Sequence, residues 1–293
     1  MRLQKLLIKE NFDIKNLTSF KIGGKVLKIY FPETIEEFEK ILKQEPLAFV
    51  AGNLSNTLVS SQGYEGIVIS TTKLDYIRIS DSAITAGVGV KGPKLSQFAL
   101  EHSLSGMEFM IGFPGSVGGE VYMNAGAHGQ CISDIFKSAK IFDGKNVITL
   151  KDMDFGYRTS ICQKNNYVVL EAEFELKKSD KSQIKSKMDE NLEFRKTHQP
   201  LLTLPNCGSI FKNPENNSAG KLLDECKVKG LKIGGAKVWE NHANFIINED
   251  NATSDDVLKL MSEMQNRVLE KFNIKLKPEI RFLGSEELWE TIQ

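Results

Sequence analysis

The stretch GMEFMIGFPGSVGGEVYMNAGAHG, residues 106–129, decides the fold prediction because it fits neither a helix nor an ordinary strand. Seven of the chain's 23 glycines lie in it, and they alternate with large apolar residues such as Met107, Phe109 and Phe113. Apolar residues belong in a core, whereas glycines leave the backbone bare. The stretch therefore predicts a buried loop on which something lies directly against the backbone.

The centre of this glycine-rich stretch has the residues that such a loop needs. Pro114 fixes one backbone dihedral angle, and Gly115, Gly118 and Gly119 allow close approach of a ligand. Ser116 adds a hydroxyl group. These residues favour a flat or phosphorylated ligand.

A second candidate loop, AGNLSNTL at residues 51–58, follows a predicted buried strand. Gly52, Asn53, Ser55 and Asn56 supply short donors and a flexible backbone, which are typical of a phosphate-binding nest. An ordinary Asn/Ser turn explains the same residues equally well. A ligand large enough to need both loops is more plausibly a dinucleotide cofactor than a lone phosphate.

Composition limits the classes of protein. The 293 residues include 38 Lys and Arg against 38 Asp and Glu, so no global field attracts nucleic acid or an anionic membrane. Charges at Lys5, Lys9 and Glu10 interrupt the N-terminal apolar residues, and no stretch reaches the roughly 18 apolar residues of a membrane span. We expect a cytoplasmic protein that is not inserted in a membrane and does not bind nucleic acid.

The four cysteines and four histidines show no metal-binding pattern. The cysteines lack a C-x-x-C pair, and the histidines lack an H-E-x-x-H spacing. We expect reduced cysteines and no metal site.

Short strands dominate the middle of the chain. A small α/β unit comes first, with a strand at residues 26–31 and a helix that Pro32 and Thr34 open. Residues 61–176 then contain many β-type runs and one convincing helix, at 93–102. This distribution predicts an α+β fold rather than a regular doubly wound sheet.

Two helices are predicted after residue 178. Ser179 and Asp180 cap a polar connecting helix, which is the best domain boundary in the sequence. Residues 253–256 cap another helix with an apolar stripe. The stripe comprises Val257, Leu260, Met261, Met264, Val268 and Phe272.

One motif points elsewhere. GVGVKG, residues 87–92, matches the G-x-G-x-x-G pattern of Rossmann dinucleotide sites. No parallel strand with a terminal acidic residue follows it at the right place, so we disfavour a Rossmann site.

Three isolated residues invite chemical roles. Ser209 in CGSIFKNP, residues 207–214, lacks a G-x-S-x-G elbow, so it is a poor acyl nucleophile, although a buried serine can donate a proton. Arg158 stands beside Tyr157 after a predicted strand, and Glu279 follows a proline among apolar residues. For each charge, a salt bridge or simple solvation is the alternative interpretation.

Six ordered blocks, covering about residues 16–284, closely resemble the UDP-N-acetylenolpyruvoylglucosamine reductase (MurB) family. The blocks are NLTSFKIGG, the glycine-rich stretch, FGYRTS, CGSIFKNPENNSAGKLLDE, GLKIGGAKVWENHANFIIN and LKPEIRFLG. Six blocks in order are far more specific than any one of them.

The resemblance implies a flavoenzyme of peptidoglycan synthesis. It implies bound FAD, NADPH as co-substrate, and reduction of UDP-N-acetylglucosamine enolpyruvate to UDP-N-acetylmuramate, with hydride from flavin N5. The implied fold is α+β: an FAD-binding domain of the vanillyl-alcohol oxidase type, made of two α/β subdomains, precedes an α+β substrate-binding domain. The expected domain limits are 1–60, 61–185 and 186–293, with the C-terminal segment near Glu279 returning to the active site.

The resemblance also implies roles for single residues. Ser209 would donate the proton, and Arg158 and Glu279 would act on the substrate carboxylate; Glu279 is either a neutral acid or a partner that orients Arg158. Tyr157, Asn213 and Lys212 would contact substrate, and Arg195 or Lys221 are further candidates for the diphosphate. The residues expected to bind FAD are Gly52, Asn53, Ser55, Asn56, Gly115, Ser116, Gly118, Gly119, Asn124 and Ala125.

The sequence departs from the family pattern in the first loop and in one later block. Leu54 stands where the family's G-x-G-S-N loop has its last glycine, and residues 239–241 replace a serine-lysine-histidine run. The short spacing between Arg158 and Tyr167 indicates the compact form without a tyrosine-bearing insertion. Another FAD oxidoreductase of the same fold and a non-catalytic nucleotide-sugar binding protein are the alternative functions, and we expect a monomer.

Overall fold

The computed structural model describes residues 6–201 and 203–293. Residues 1–5 lie outside this range, and they include Lys5, on which the expectation of a cytoplasmic protein partly rests. The strands are β1 (Leu7–Asp13), β2 (Lys25–Phe31), β3 (Phe49–Ala51), β4 (Thr57–Val59), β5 (Tyr64–Ser70), β6 (Ile77–Ser80), β7 (Ala83–Gly87), β8 (Leu104–Ser105), β9 (Gly126–Ala127), β10 (Gln130–Cys131), β11 (Phe136–Phe142), β12 (Val147–Leu150), β13 (Val168–Glu175), β14 (Lys177–Lys178), β15 (Asn206–Ser209), β16 (Lys232–Ile233), β17 (Ala236–Val238), β18 (Phe245–Asn248) and β19 (Arg281–Leu283). The α-helices are α1 (Ile35–Gln44), α2 (Gly92–Glu101), α3 (Val117–Tyr122), α4 (Ile161–Asn165), α5 (Lys181–His198), α6 (Ala219–Glu225), α7 (Ser254–Phe272) and α8 (Glu287–Ile292).

The chain forms two compact units that are interleaved in sequence. Unit 1 comprises the described residues up to Glu10, Lys28–Asn53 and Gly66–Arg195. Unit 2 comprises Asn11–Leu27, Leu54–Glu65 and the described residues of Lys196–Gln293. The domain limits expected from sequence are continuous ranges, and they stay predictions.

A five-stranded antiparallel sheet forms the centre of unit 1, in the order β12-β11-β13-β7-β6. Strand β13 pairs with β11 on one side and β7 on the other, so apolar residues such as Leu170, Ala172 and Phe174 are fully buried. Helix α3 packs against this sheet at β13 and β7. The sheet thus supports the glycine-rich stretch.

The Rossmann-like motif has a different explanation in this sheet. Strand β7, which leads into GVGVKG, is antiparallel to both of its neighbours, so no parallel βαβ unit exists there. A Cβ on Gly87 or Gly89 would overlap the carbonyl oxygens of Leu74 or Thr71. These glycines therefore allow the 71–76 backbone to lie close.

Unit 2 is built around α7 and a four-stranded sheet in the order β15-β18-β17-β16. The capping box is present: Thr253 Oγ1 accepts from the Asp256 amide at 3.1 Å, and Asp256 accepts from the Thr253 amide at 2.9 Å. All residues of the predicted apolar stripe except Phe272 are buried. The sequence prediction for this helix is confirmed, as is the Thr34 cap of α1.

A two-stranded parallel ladder also belongs to unit 2. Strand β19 pairs with β4 from Arg281 opposite Thr57 to Leu283 opposite Val59. The C-terminal segment thereby returns to the first candidate loop. Strands and helices are mixed throughout the described residues, so the α+β prediction is confirmed.

In the part of the chain that the structure describes, no helix combines the length and apolar character needed to cross a bilayer.

Candidate active site

In unit 1 the two candidate loops meet where β3 ends. The Asn53 side-chain amide donates to the carbonyl oxygen of Pro114 at 2.5 Å. A Cβ on Gly52 would overlap the hydroxyl of Ser116, so only glycine fits at residue 52 without a shift. Gly52, Asn53, Pro114 and Ser116 thus form one continuous surface.

The surface has a polar group that no residue satisfies. The Ser116 side chain is 3% exposed, and its Oγ has no hydrogen-bond partner in the described structure. A buried hydroxyl without a partner costs free energy, about 1–3 kcal/mol. A bound ligand with an acceptor at this point would satisfy it.

The glycines beyond Ser116 have two different functions. The amides of Val117 and Gly118 donate to the Val90 and Val88 carbonyls at 2.8 and 3.0 Å. A Cβ on Gly118 would lie 2.9 Å from Val88 Cβ, so this glycine permits tight packing. Gly119 is exposed, and a Cβ on it would meet no heavy atom of the described residues within 4 Å, so it borders open space.

The unsatisfied Ser116 hydroxyl, beside Gly52 and Gly119, fits a dinucleotide cofactor such as FAD. Gly115 and Ala125 make backbone hydrogen bonds near this surface. The Gly115 carbonyl accepts from the Gly92 amide at 3.5 Å, and the Ala125 amide donates to the Glu120 carbonyl at 2.8 Å. Cofactor contacts of individual residues in this bed stay predictions.

Asn124 is committed to the protein backbone. It is buried and left-handed (φ 43°). Its amide group donates to the Gly156 carbonyl at 3.1 Å, and its oxygen accepts from the Ser133 amide at 3.0 Å. Asn124 therefore holds the turn that carries Tyr157 and Arg158.

Arg158 lies at the tip of that turn, between the bridged residues Gly156 and Thr159. Its φ of 55° is left-handed, a conformation that costs a non-glycine residue about 1–2 kcal/mol. The guanidinium donates to the Gly126 carbonyl at 3.3 Å and stacks over the Tyr157 ring, 5.3 Å from its centroid. The Tyr157 side chain is 57% exposed. Because backbone strain often occurs at functional sites, Arg158 stays a candidate binding residue.

In unit 2 the structure brings Ser209 and Glu279 onto neighbouring backbones. The Glu279 amide donates to the Ile210 carbonyl at 2.8 Å, and Phe211 bridges Pro278. Gly208, with φ 81°, precedes Ser209. Both predicted catalytic residues are partly exposed.

Asn56 also contacts the Glu279 segment. Its side-chain amide donates to the Glu279 carbonyl at 3.1 Å, and its own carbonyl accepts from the Arg281 amide at 2.9 Å. Sequence reasoning assigned Asn56, like the neighbouring Ser55, to the cofactor and missed this contact. Leu54, the family departure, is 5% exposed and left-handed with φ 48°.

The predicted substrate residues of unit 2 lie before α6. The oxygen of Asn213 accepts from the Ala219 amide at 3.0 Å, and the Lys212 amide donates to the Lys277 carbonyl at 2.9 Å. The Lys221 amide donates to the hydroxyl of Ser218, the N-cap of α6.

In unit 1, Arg195 packs over Gly112, and burial lowers the pKa of its guanidinium.

One polar residue of the bed was missed from sequence. Glu120 lies inside α3 and is 3% exposed. The sequence could have pointed to Glu120, because a carboxylate between Gly119 and the apolar Val121 is unusual for a buried, glycine-rich stretch.

Two family models match the chain. An FAD binding domain model matches residues 27–149, and the C-terminal domain model of UDP-N-acetylenolpyruvoylglucosamine reductase matches residues 199–283.

Similar proteins match over almost the whole chain. UDP-N-acetylenolpyruvoylglucosamine reductase 2 of Bacillus cereus is 39% identical over 96% of this chain and 94% of its own length. The reductase of Caldicellulosiruptor bescii is 44% identical over 94% of this chain and 90% of its own length. The crystal structure of the reductase (MurB) from Thermus caldophilus superimposes with a TM-score of 0.81 at 32% identity, covering 96% of this chain and 99% of that one.

The unsatisfied Ser116 hydroxyl and the glycine-rich stretch lie in the region that matches an FAD-binding domain. Because the relatives are this similar over nearly all residues, the chain belongs to the UDP-N-acetylenolpyruvoylglucosamine reductase (MurB) family and carries an FAD-binding domain.

Proposed function

We propose that this chain reduces UDP-N-acetylglucosamine enolpyruvate to UDP-N-acetylmuramate for peptidoglycan synthesis, with bound FAD and with NADPH as electron donor. The observation that carries the proposal is the backbone pairing of the Ser209 and Glu279 segments, with the Glu279 amide 2.8 Å from the Ile210 carbonyl. It lies inside the region that matches the reductase C-terminal domain. We also propose that the enzyme is a cytoplasmic monomer.

The cofactor would be held by the surface of Gly52, Asn53 and residues 115–119. The unsatisfied Ser116 hydroxyl would donate to an acceptor of the cofactor, and the bare backbone at Gly119 would leave room for the cofactor without a side-chain collision. Bound FAD would supply the redox chemistry, which is transfer of two electrons from NADPH to the substrate double bond as hydride. The protein residues orient the substrate and supply the proton.

Arg158 meets the negative charge that develops on the substrate carboxylate. Its guanidinium presents paired donors, which suit a carboxylate better than a single ammonium group does. The stacked Tyr157 ring restricts its side-chain freedom. Arg158 therefore stabilises the developing charge more than the ground state, which is what accelerates a reaction.

Ser209 then donates the proton to the carbon next to the carboxylate, and this fixes the stereochemistry of the product. Gly208, left-handed at φ 81°, sets the direction in which the Ser209 backbone leaves the strand. For Glu279 two roles are compatible with a negatively charged substrate: a neutral acid that donates a hydrogen bond, or an ionised partner that orients a cation.

The visible spectrum of the purified protein tests the proposal. A flavin band that bleaches with anaerobic NADPH and returns on addition of UDP-N-acetylglucosamine enolpyruvate is the expected result. A band that returns only with oxygen and an alcohol-type substrate would favour another flavin oxidoreductase of this fold. No flavin band, even after FAD is added, would leave the nucleotide-sugar binding protein as the better explanation.

A further inference from the structure

Glu120 is a buried carboxyl group for which neither the cofactor surface nor the proposed chemistry accounts. It is 3% exposed in α3, four residues after Ser116, and both of its oxygens lack a hydrogen-bond partner in the described structure. An ionised carboxylate without a partner is one of the most costly groups to bury. Its position therefore requires an explanation of its own.

The carboxyl group faces the beginning of α2. A Cβ on Gly92, the first residue of α2, would lie 2.6 Å from Glu120 Oε1 and 3.1 Å from Phe113 Cβ. Lys91, which precedes the helix, makes no side-chain cap. The Gly92 amide donates to the Gly115 carbonyl at 3.5 Å rather than to the Glu120 carboxyl group. Glu120 thus lies beside the first residue of α2, where Phe113 Cβ and the Met110 carbonyl oxygen also border Gly92.

Among the described residues, no charged side chain contributes to the pKa of Glu120, which burial raises and the Gly92 amide lowers. Helix α3 contacts β7, β13 and α4, and its Glu120 lies beside Gly92 of α2, which the 3-10 helix Glu108–Gly112 also borders. Their titratable groups are Lys91, Lys94, Glu101, His102, Glu108, Cys162, Lys164, Glu171, Glu173 and Glu175. Several have other partners: Lys94 pairs with Asp75, Lys164 with Asp154, Glu171 with Arg78, and Glu108 with Ser105.

The charge state follows from this environment. Burial raises the pKa of Glu120 from 4.5 to about 8, and the nearby Gly92 amide opposes the rise. At neutral pH the closed structure therefore holds Glu120 as the neutral acid.

We propose that Glu120, as a neutral acid, is a positioning residue of the FAD-binding surface, and that release of FAD is linked to loss of its proton. The proposal rests on FAD being the cofactor of this surface. Ser116 and Gly119 belong to the same short segment as Glu120, since the Glu120 amide donates to the Ser116 carbonyl at 2.9 Å. Opening of the segment far enough to free the cofactor exposes the carboxyl group to water.

Linkage gives the sign and size of the effect. In the opened segment Glu120 titrates near its ordinary pKa of 4.5, whereas in the closed segment it titrates near 8. Between these values only the closed form holds the proton, so each rise of one pH unit favours opening by up to about tenfold. Below the range and above it the effect is constant, because both forms are then equally protonated.

The test compares FAD release from the wild-type holoenzyme and from Glu120→Gln between pH 5.5 and 9, without NADPH or substrate. Released FAD is followed by its fluorescence. The ratio of the wild-type rate to the Gln rate should rise with pH, by up to about tenfold per unit, and level off above about pH 8. A ratio independent of pH would overturn the proposal. Glu101→Gln, an exposed change on α2, should follow the wild type.

A second measurement covers the case in which Glu120→Gln does not fold or FAD does not bind. Hydrogen exchange of peptide 115–122 in the wild-type apoprotein reports opening directly. After correction for intrinsic exchange, protection should fall as pH rises from 5.5 to 8. Protection that does not change with pH would contradict the linkage. If protection depends on pH but the protein does not bind FAD, only the proposed cofactor would be contradicted.

Discussion

At the scale of single residues, Ser209 carries the clearest chemical prediction. Ser209→Ala should leave reduction of the flavin by NADPH nearly unchanged, because the serine takes no part in that step. Reoxidation by substrate should slow by about 10²–10⁴-fold, the usual contribution of a positioned proton donor. Stopped-flow absorbance measures the two half-reactions separately. Equal losses in both would contradict the proton-donor role, and Ser186→Ala, an exposed change on α5, serves as the matched control.

Leu54 carries a conformational prediction. Its left-handed backbone (φ 48°) is strained, whereas burial of its side chain is stabilising. Leu54→Ala should cost about 2–5 kcal/mol through the lost packing. Going on to Leu54→Gly should recover about 1 kcal/mol, because glycine adopts this φ without strain. At the fully buried Leu58 in β4, the same Ala to Gly step should instead cost about 0.5–1 kcal/mol. Urea denaturation measures all four variants, and steps of the same sign at both positions would refute the strain at Leu54.

Asn56 distinguishes positioning from cofactor binding. Asn56→Ala removes the donor to the Glu279 carbonyl, a bond worth about 0.5–1.5 kcal/mol, so kcat/KM for substrate should fall by about 2–12-fold. FAD affinity should stay unchanged if this contact is the main function of the side chain. Asn56→Asp, which keeps the size but loses the donor, should behave like Ala. A loss confined to FAD affinity would return Asn56 to the cofactor.

Residue types indicated the cofactor surface, but not which partner each residue has. The sequence placed Gly52 and Ser116 in two loops expected to bind one cofactor, and the structure shows these residues in contact. It missed the Asn56 contact with Glu279, since 223 positions separate the two residues and no local pattern reports such a pairing. It passed over Glu120 because composition shows a carboxylate without showing its burial.

At the scale of elements, the five-stranded sheet carries a pH prediction at Glu171. This carboxylate accepts from the Tyr76 hydroxyl at 2.7 Å and pairs with Lys140 at 3.0 Å and with Arg78. Burial acts to raise the pKa of Glu171, but these partners outweigh it and lower the pKa. A lowered pKa gives stability that is fully present above about pH 4.5 and is lost as pH falls through the folded-state value.

Glu171→Gln should therefore destabilise the protein by about 1–3 kcal/mol at pH 7, because the change removes a buried carboxylate that is hydrogen-bonded to Tyr76 and paired with Lys140 and Arg78. The difference from wild type should shrink below pH 4.5. Thermal unfolding between pH 3.5 and 7 measures it, with the more exposed Glu173→Gln as a control that should lose less. A difference that does not change with pH would contradict the role of the ionised form.

Elements whose signals are local were predicted well, and elements whose signals are not were missed. Capping residues and an apolar stripe sufficed for α7 and α1, because both lie within one helix. The order β12-β11-β13-β7-β6 depends on pairings between distant segments, which periodicity does not report. For the same reason GVGVKG was ambiguous until the antiparallel pairing of β7 was known.

At the scale of the whole molecule, sequence similarity revealed the family but not the interleaving of the two units. Unit 2 takes residues 11–27 and 54–65 from the N-terminal part of the chain. Phe20, Ile22 and Leu58 from these segments are buried in the same core as α7. Nothing in their local sequence distinguishes them from residues of unit 1, because apolar residues carry no label of the core they join.

This interleaving predicts that a fragment of residues 186–293 will not fold by itself. The fragment lacks β4, the partner of β19, and the reciprocal hydrogen bonds of Ser61 with Ser254 at 2.8 and 2.9 Å. It also lacks three large buried side chains, each worth about 1.5–3 kcal/mol in transfer free energy, against a usual net stability of about 5–15 kcal/mol. Circular dichroism during urea unfolding should show no cooperative transition for the fragment, and one should return when segments 11–27 and 54–65 are joined to it by flexible linkers. A cooperative transition in the fragment alone would instead support the continuous domain limits expected from sequence.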